Sequence, residues 1–396
     1  MTTSILHRKL RAAARVAPAA MSGVLLLALW ASPCAAVTIT VANQDFPGEG
    51  FNDATFASPV GGNTGNTLGQ QRLNVFQYAA DAWGQRLAGT VPVVIDATFD
   101  PLDGDETWAV LGGAGPTSVY LGFPNAERAS TWFVSAVANQ QSGGDLDDSE
   151  ADVSAQFNSD VDGPTVLGDV DFYYGLDGNN GTDIDFLSVV LHEIGHGLGF
   201  LDLLDETGAK FNGNDDAFMI WLEDPKLSPK ALAEMNDAKR ALALVDTGSL
   251  LWFGPSVKAA SSILTSGRRS DGRVQMYAPN PYEPGSSVAH FDVAVSPNEL
   301  MEPFATGAVR DLRLTSALLD DVGWTPAHVP DCADANDDDK ITSSDALLTL
   351  RTAVGSSSCA EYVCDVNSSG SVTAADALLV LKLAVGQAVE VHCPLA

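Results

Sequence analysis

Two histidines four residues apart, in the run His192-Glu193-Ile194-Gly195-His196-Gly197-Leu198-Gly199-Phe200, constrain this chain more than any other feature. The stretch before them, Ile184-Asp185-Phe186-Leu187-Ser188-Val189-Val190-Leu191, is apolar enough to be a buried helix. Residues four apart on a helix share a face, so His192 and His196 can present both imidazoles to one metal ion. Zinc suits that donor pair and lowers the pKa of a coordinated water to about 7. Glu193 adjoins the first imidazole and is placed to act as a general base. Gly197 and Gly199 are poor helix residues, so the helix is expected to end near them. The five-residue pattern alone also occurs on ordinary packed helices. Gly199, three residues after His196, extends the pattern beyond those five residues and strengthens the metal reading.

Six histidines are available: His7, His192, His196, His290, His328 and His392. His7 lies in an N-terminal targeting segment, and His328 and His392 lie near or in a C-terminal module, which leaves His290 as the third imidazole. It stands in Ala289-His290-Phe291-Asp292, ahead of Ser296-Pro297-Asn298-Glu299-Leu300-Met301-Glu302-Pro303 and of Leu314-Thr315-Ser316-Ala317-Leu318-Leu319-Asp320-Asp321-Val322-Gly323-Trp324. This order resembles leishmanolysin-type metzincins: H-E-x-x-H-x-x-G-F, a long insertion, His, N-E-L-M-x-P, then a helix ending D-x-G-W. The resemblance covers roughly residues 184–325. It implies zinc on His192, His196 and His290, Glu193 as base, and Met301 as a hydrophobic floor beneath the metal. A rival third ligand is Asp202, three residues after Gly199, where compact metzincins place theirs; the context of Met301 favours His290. The chain departs from leishmanolysin in having no cysteine in this region and no evident long propeptide.

The last 65 residues are an internal duplication. Asp334-Ala335-Asn336-Asp337-Asp338-Asp339-Lys340-Ile341-Thr342-Ser343-Ser344-Asp345 returns 31 residues later as Asp365-Val366-Asn367-Ser368-Ser369-Gly370-Ser371-Val372-Thr373-Ala374-Ala375-Asp376. Each copy leads into a helical run, Ala346 to Gly355 and Ala377 to Gly386. Oxygen donors at loop positions 1, 3, 5 and 12 define a calcium loop of the EF-hand kind: Asp334, Asn336, Asp338 and Asp345, then Asp365, Asn367, Ser369 and Asp376. Lys340 and Ser371 fill position 7, where such loops use a backbone carbonyl. Gly370 supplies the sharp turn at position 6, and Asp339 does not. With Asp at position 12 and one helix per loop, the pair resembles a type I dockerin. That resemblance implies two calcium ions and a cohesin-type scaffold partner, with Ser343-Ser344 and Ala374-Ala375 at the positions that usually contribute to cohesin contact.

Composition agrees with an exported protein. Twenty-one Lys and Arg against 51 Asp and Glu give a net charge of −30, which disfavours nucleic acid and anionic membranes and favours divalent cations. Arg8, Lys9, Arg11 and Arg15 lead an apolar run from Ala19 to Ala31, and Cys34-Ala35-Ala36 offers small residues before a cut near Val37. Residues 1–36 therefore read as a secretory leader, and no other stretch suits a membrane span. Past it, only Cys332, Cys359, Cys364 and Cys393 remain, a count that suggests two disulfides with three pairings open.

The expected architecture is α+β: a metzincin-like domain over 37–327, built from a twisted sheet and the active-site helix, then a small all-α dockerin over 331–396. Leu73, Phe76, Ala80, Trp83 and Leu87 predict an amphipathic helix, and 91–99 a strand. The alternation over 151–157 predicts another strand, the candidate sheet edge for an extended peptide. Leu232 to Leu244 predicts a helix. The expected function is zinc-dependent hydrolysis of peptide bonds in a protein or peptide substrate. A non-catalytic extracellular binding protein docked on a scaffold, and a zinc hydrolase of non-peptide substrates, are the other classes these residues allow.

Overall fold

The computed structural model describes residues 36–147, 150–327, 330–338, 340–389, 391 and 393, and the backbone of 11–14. The chain divides into two compact units, Met1–Pro326 and Ala327–Ala396. Of the leader expected over 1–36, Ala36 and the backbone of Arg11–Ala14 are described, the latter as a strand parallel to Ser118–Leu121. The rest of that segment, with His7, lies outside the described residues, as do His328, Asp339 and His392.

The larger unit mixes helix and sheet. Its main sheet contains β1 (Ile39–Asn43), β2 (Val93–Asp100), β3 (Gly112–Pro116) and β4 (Val153–Asn158) in the order β1-β2-β4-β3. The first three neighbours run parallel, and β3 lies antiparallel to β4 at the edge, with Ala114 opposite Ala155. The alternation over 151–157 does give a strand, but not the expected edge. Both sides of β4 carry partners, Val153 pairing with Ile95 on one side and Pro116 on the other, so it has no backbone groups left to offer a peptide. Its inward positions, Val153, Ala155 and Phe157, are apolar and buried. That burial makes the pattern of an inner strand hard to tell from that of a half-buried edge.

Helix α1 (Leu68–Arg86) and helix α2 (Phe186–Gly197) pack together against this sheet. The 3–4 spacing in α1 buries Phe76, Ala80 and Trp83, and the Trp83 indole donates to the Leu191 carbonyl of α2 at 2.9 Å. Thr67 caps the N-terminus of α1 through its side chain. Helix α2 starts later than the apolar run suggests. Ile184 and Asp185 sit in a short strand paired with Phe172–Tyr173, and Asp185 caps the helix by accepting the Ser188 N–H. Phe186 then enters a cluster of rings with Phe99, Phe157, Phe172 and Tyr174, which ties the first turn of α2 to the sheet. Helix α3 (Arg313–Asp321) closes the unit, and its following Trp324 donates to the Leu198 carbonyl, where α2 ends, at 2.8 Å.

The helix expected over Leu232 to Leu244 is broken. A 3-10 turn, Leu232–Glu234, and a short α-helix, Asp237–Ala243, are separated by extended residues at Met235 and Asn236. Asn236 interrupts the run because its side chain accepts the Lys239 N–H, making it a cap and not an interior residue.

In the smaller unit, α4 (Ser343–Ala353) packs on α6 (Ala374–Ala384), with the single turn α5 (Glu361–Cys364) between them in sequence. Both long helices start three residues before the expected Ala346 and Ala377, because each opens with a capping box, Thr342 with Asp345 and Thr373 with Asp376. The core is small: Ala333, Ala346, Val366 and Val380, with Cys332, Leu379, Leu383, Val391 and Cys393 against it. Disulfides Cys332–Cys393 and Cys359–Cys364 decide among the three open pairings. The first joins the two ends of the unit, where a core this small most needs a covalent closure.

The ring cluster makes a quantitative expectation. Phe157 is fully buried and meets Phe51, Phe76, Phe99 and Phe186. Phe157→Ala should cost about 3–5 kcal/mol, read by chemical denaturation of the larger unit. A loss below about 1 kcal/mol would show that the cluster is not what fixes α2 to the sheet.

Candidate metal centre

Helix α2 and a distant loop bring three imidazoles together. The Nε2 atoms of His192 and His196 lie 3.0 Å apart, those of His196 and His290 3.3 Å, and those of His290 and His192 3.2 Å. His290 is 0% exposed and the other two are nearly so. Each ring is held from behind. Nδ1 of His192 donates to the Leu300 carbonyl, Nδ1 of His196 to the Phe200 carbonyl, and Nδ1 of His290 to the Ser286 carbonyl, all at 2.7 Å. A carbonyl can only accept, so each Nδ1 carries the proton and each Nε2 turns a lone pair inward. Three inward lone pairs at these separations repel one another unless a cation lies between them. This donor set, with its supporting carbonyls, is the kind that holds zinc.

Burial favours the neutral rings that a metal requires. It pulls His192 down to about 4, partly offset by the Leu300 carbonyl, and His290 down to about 3. His196 falls well below its ordinary value, by burial and then by its two imidazole neighbours.

The supporting carbonyls are placed by local backbone features. Gly199 has φ +121°, which lets the chain reverse at the end of α2. The Phe200 N–H then reaches the Gly195 carbonyl, and the Phe200 carbonyl points back at His196. Leu300 and Met301 lie on one loop. The Met301 carbonyl accepts the Phe291 N–H beside His290, and the Met301 side chain is fully buried under Gly195. A Cβ at Gly195 would come within 2.9 Å of Met301 Sδ, so that helix position has no room for a side chain. The segment leading to His290 is strained. Val288 is a buried β-branched residue at φ +74°, a conformation it holds at a cost of roughly 1–3 kcal/mol. Its N–H donates to the Tyr277 carbonyl, and the Tyr277 N–H donates to the His290 carbonyl, which over-determines the strained turn.

Glu193 is 1% exposed, and neither carboxylate oxygen has a hydrogen-bond partner among the described residues. Burial raises its pKa to about 8. The Ala114 N–H of β3 pulls the other way without forming a closed hydrogen bond. The open edge strand thus runs beside the acid. Reading the sequence missed β3 as the edge because Gly112-Gly113-Ala114-Gly115-Pro116 lacks the β-branched and aromatic residues that signal a strand.

Asp202 is placed elsewhere. Its Oδ1 accepts the Leu204 N–H, it neighbours Asp216, and it is absent from the metal-capable cluster formed by His192, His196 and His290. It is also no ordinary solvated acid, since burial and then Asp216 push its carboxyl well above the usual range.

In the smaller unit, oxygens of Asp334, Asp338 and Asp345 lie within 4.8 Å of one another. Asp345 Oδ1 accepts the Asn336 N–H, and Asp334 Oδ1 accepts the Asp338 N–H. The second loop repeats this wiring: Asp376 Oδ1 accepts the Asn367 N–H, and Asp365 takes the N–H groups of Ser369 and Gly370. Gly370 has φ +83°, the sharp turn that position 6 requires. Asp337 and Ser368, at position 4 of each loop, also adopt positive φ. Lys340 is exposed, and the Ser371 carbonyl accepts the Ser369 hydroxyl at 3.1 Å. Ser343, Ser344, Ala374 and Ala375 are exposed on the first turns of α4 and α6.

Residues 332–383 match the family model of the type I dockerin domain, so the smaller unit carries a module of that calcium-binding class. No curated protein and no solved structure matches the chain. No helix among the described residues is long and apolar enough to cross a membrane.

Two measurements test these sites. His290→Ala should weaken zinc retention by more than the roughly 10–100-fold typical of losing a supporting hydrogen bond, whereas Asp202→Ala should keep the metal. Elemental analysis after dialysis reads both, and the opposite pattern would move the third ligand to Asp202. Calorimetric titration of the metal-free chain should show two calcium equivalents, with Asp345→Asn and Asp376→Asn each removing one. Uptake unaffected by either change would place calcium elsewhere.

Proposed function

We propose that the protein is an exported zinc-dependent endopeptidase of metzincin type, carried by a dockerin module that binds calcium and docks on a cohesin-type scaffold. The observation that carries this reading is the set of three inward Nε2 atoms with every Nδ1 already satisfied, next to a buried acid whose oxygens have no partner. A purely structural metal site needs the imidazoles but not Glu193, and burying an idle carboxylate is costly.

His192, His196 and His290 would hold the ion. When bound, zinc supplies a Lewis acid and makes water acidic enough to lose a proton near pH 7. Glu193 takes that proton on a carboxylate oxygen and later returns it to the departing amine nitrogen. Strand β3 orients the substrate. Its outer edge carries no strand partner among the described residues, so a peptide in extended form can pair with its N–H and carbonyl groups. Glycine and alanine at four of its five positions allow close approach of the substrate backbone. The Met301 and Trp83 side chains pack behind the helix at Gly195 and keep the imidazole-bearing face from shifting.

The dockerin match supports the placement of this activity on an extracellular scaffold. A divalent ion beside Glu193 would restore its charged form against the rise that burial causes.

The direct test is digestion of casein by the purified chain with zinc and with a chelator. Hydrolysis should stop on chelation and return with zinc. Glu193→Gln should lower kcat by at least about 100-fold while the zinc content stays near one equivalent. Parallel loss of metal and activity in that variant would make Glu193 a structural support of the site and remove it as the base.

A further inference from the structure

Beside the imidazoles lies a cleft of about 280 Å³, lined by His192 and, among others, Val189, Leu300, Phe304 and Val309. That volume sits just below the range of small-molecule pockets, and suits one long side chain. Four acids line it, Asp183, Asp185, Glu299 and Glu302, and no lysine or arginine among the described residues does.

These carboxylates are not equivalent. Asp185 is compensated. Arg310 Nε donates to Oδ2 at 2.9 Å, Arg310 Nη2 bonds Oδ1, and the Ser188 N–H adds a third donor. Glu299 and Glu302 are 3% and 5% exposed, and no basic side chain is paired with either of them among the described residues. Glu302 Oε1 accepts the Glu299 N–H at 2.8 Å. Glu299 Oε2 is buried without a hydrogen-bond partner among the described residues. A buried, unpartnered carboxylate oxygen at the wall of an open cleft is a costly arrangement unless something enters to satisfy it.

We propose that this cleft receives a lysine or arginine side chain of the substrate, from a residue flanking the scissile bond, and that Glu299 and Glu302 select it. The inference rests on the peptidase reading and adds the class of substrate. The methylene stem of a basic side chain lies along Val189 and Phe304, and its cationic head meets the acids, as such amphipathic side chains do elsewhere. Because His192 is itself part of the wall, a side chain seated here belongs to a residue next to the bond held over the three Nε2 atoms. Burial pushes Glu299 up to about 8, with Asp311 and Glu302 adding to the rise and Arg313 opposing it. Burial likewise pushes Glu302 up to about 7, with the Glu299 N–H opposing and Asp292 adding. An arriving cation reverses that penalty, so the empty cleft disfavours charge and the filled one welcomes it.

The test separates binding from catalysis. Zinc-loaded Glu193→Gln protein is titrated with two labelled peptides that differ only in lysine against norleucine at one position. The lysine peptide should bind about tenfold more tightly. In the zinc-loaded active chain, mass spectrometry of casein fragments should find cleavage concentrated beside lysine and arginine. Adding Glu299→Gln, or Glu302→Gln as a second variant should the first fail to fold, should bring the lysine-to-norleucine ratio close to one. Equal binding of the two peptides, or preference for norleucine, would overturn the assignment of the cleft. Lysine-selective binding without any cleavage would sustain the cleft and overturn the peptidase reading.

Discussion

Three hydrogen bonds of the same kind, each from an imidazole Nδ1 to a backbone carbonyl, organise the larger unit. They fix the tautomer of His192, His196 and His290, and so decide that the inward-facing atoms are lone pairs and not protons. The carbonyls come from three separate places: Leu300 on the loop before α3, Phe200 just past α2, and Ser286 four residues before His290. Each depends on its own backbone device. Gly199 reverses the chain for Phe200, the strained Val288 sits between Ser286 and His290, and the Met301 carbonyl anchors Phe291. The histidine cluster is therefore a consequence of how the loops are tied down as much as of the helix that bears two of its imidazoles.

The same logic explains why α2 is held so firmly. Phe186 roots its first turn in the ring cluster, Trp83 bonds its middle, and Trp324 bonds its end. A helix free to slide would lose the spacing that brings the three Nε2 atoms within 3.3 Å of one another. The ties at three heights along the helix provide the rigidity that propensity alone would not, since α2 contains two glycines in its last turn.

The smaller unit solves a different problem. Four buried aspartates, Asp334, Asp345, Asp365 and Asp376, stand in a core of only a few apolar side chains. Their mutual repulsion is what calcium removes, and the disulfide between Cys332 and Cys393 keeps the ends together whatever the ion does. Two independent closures suit a module too small to be stable on its core alone.

Much of the chemistry was legible in the residues themselves. A helix places His192 and His196 on one face by geometry alone, and a repeat of 31 residues in fixed register exposes both acidic loops, because local spacing is enough to define each feature. The two disulfide pairings were not legible, since spacing does not say which ends of a chain meet. The helix expected over Leu232 to Leu244 failed at Asn236, where a side chain competes for the backbone in a way periodicity does not register. The alternation over Ala151 to Phe157 does not tell an inner strand from an edge strand; only pairing on both sides of β4 reveals the difference, and the edge beside it is a glycine-rich stretch with no strand signature. Residue types and local spacing name His192, Glu193, His196 and the two acidic loops as candidates. The context of Met301 names His290 over Asp202, but only long-range packing brings its Nε2 to 3.3 Å from that of His196 and sets Glu299 and Glu302 along a common cleft, because no local spacing encodes those meetings.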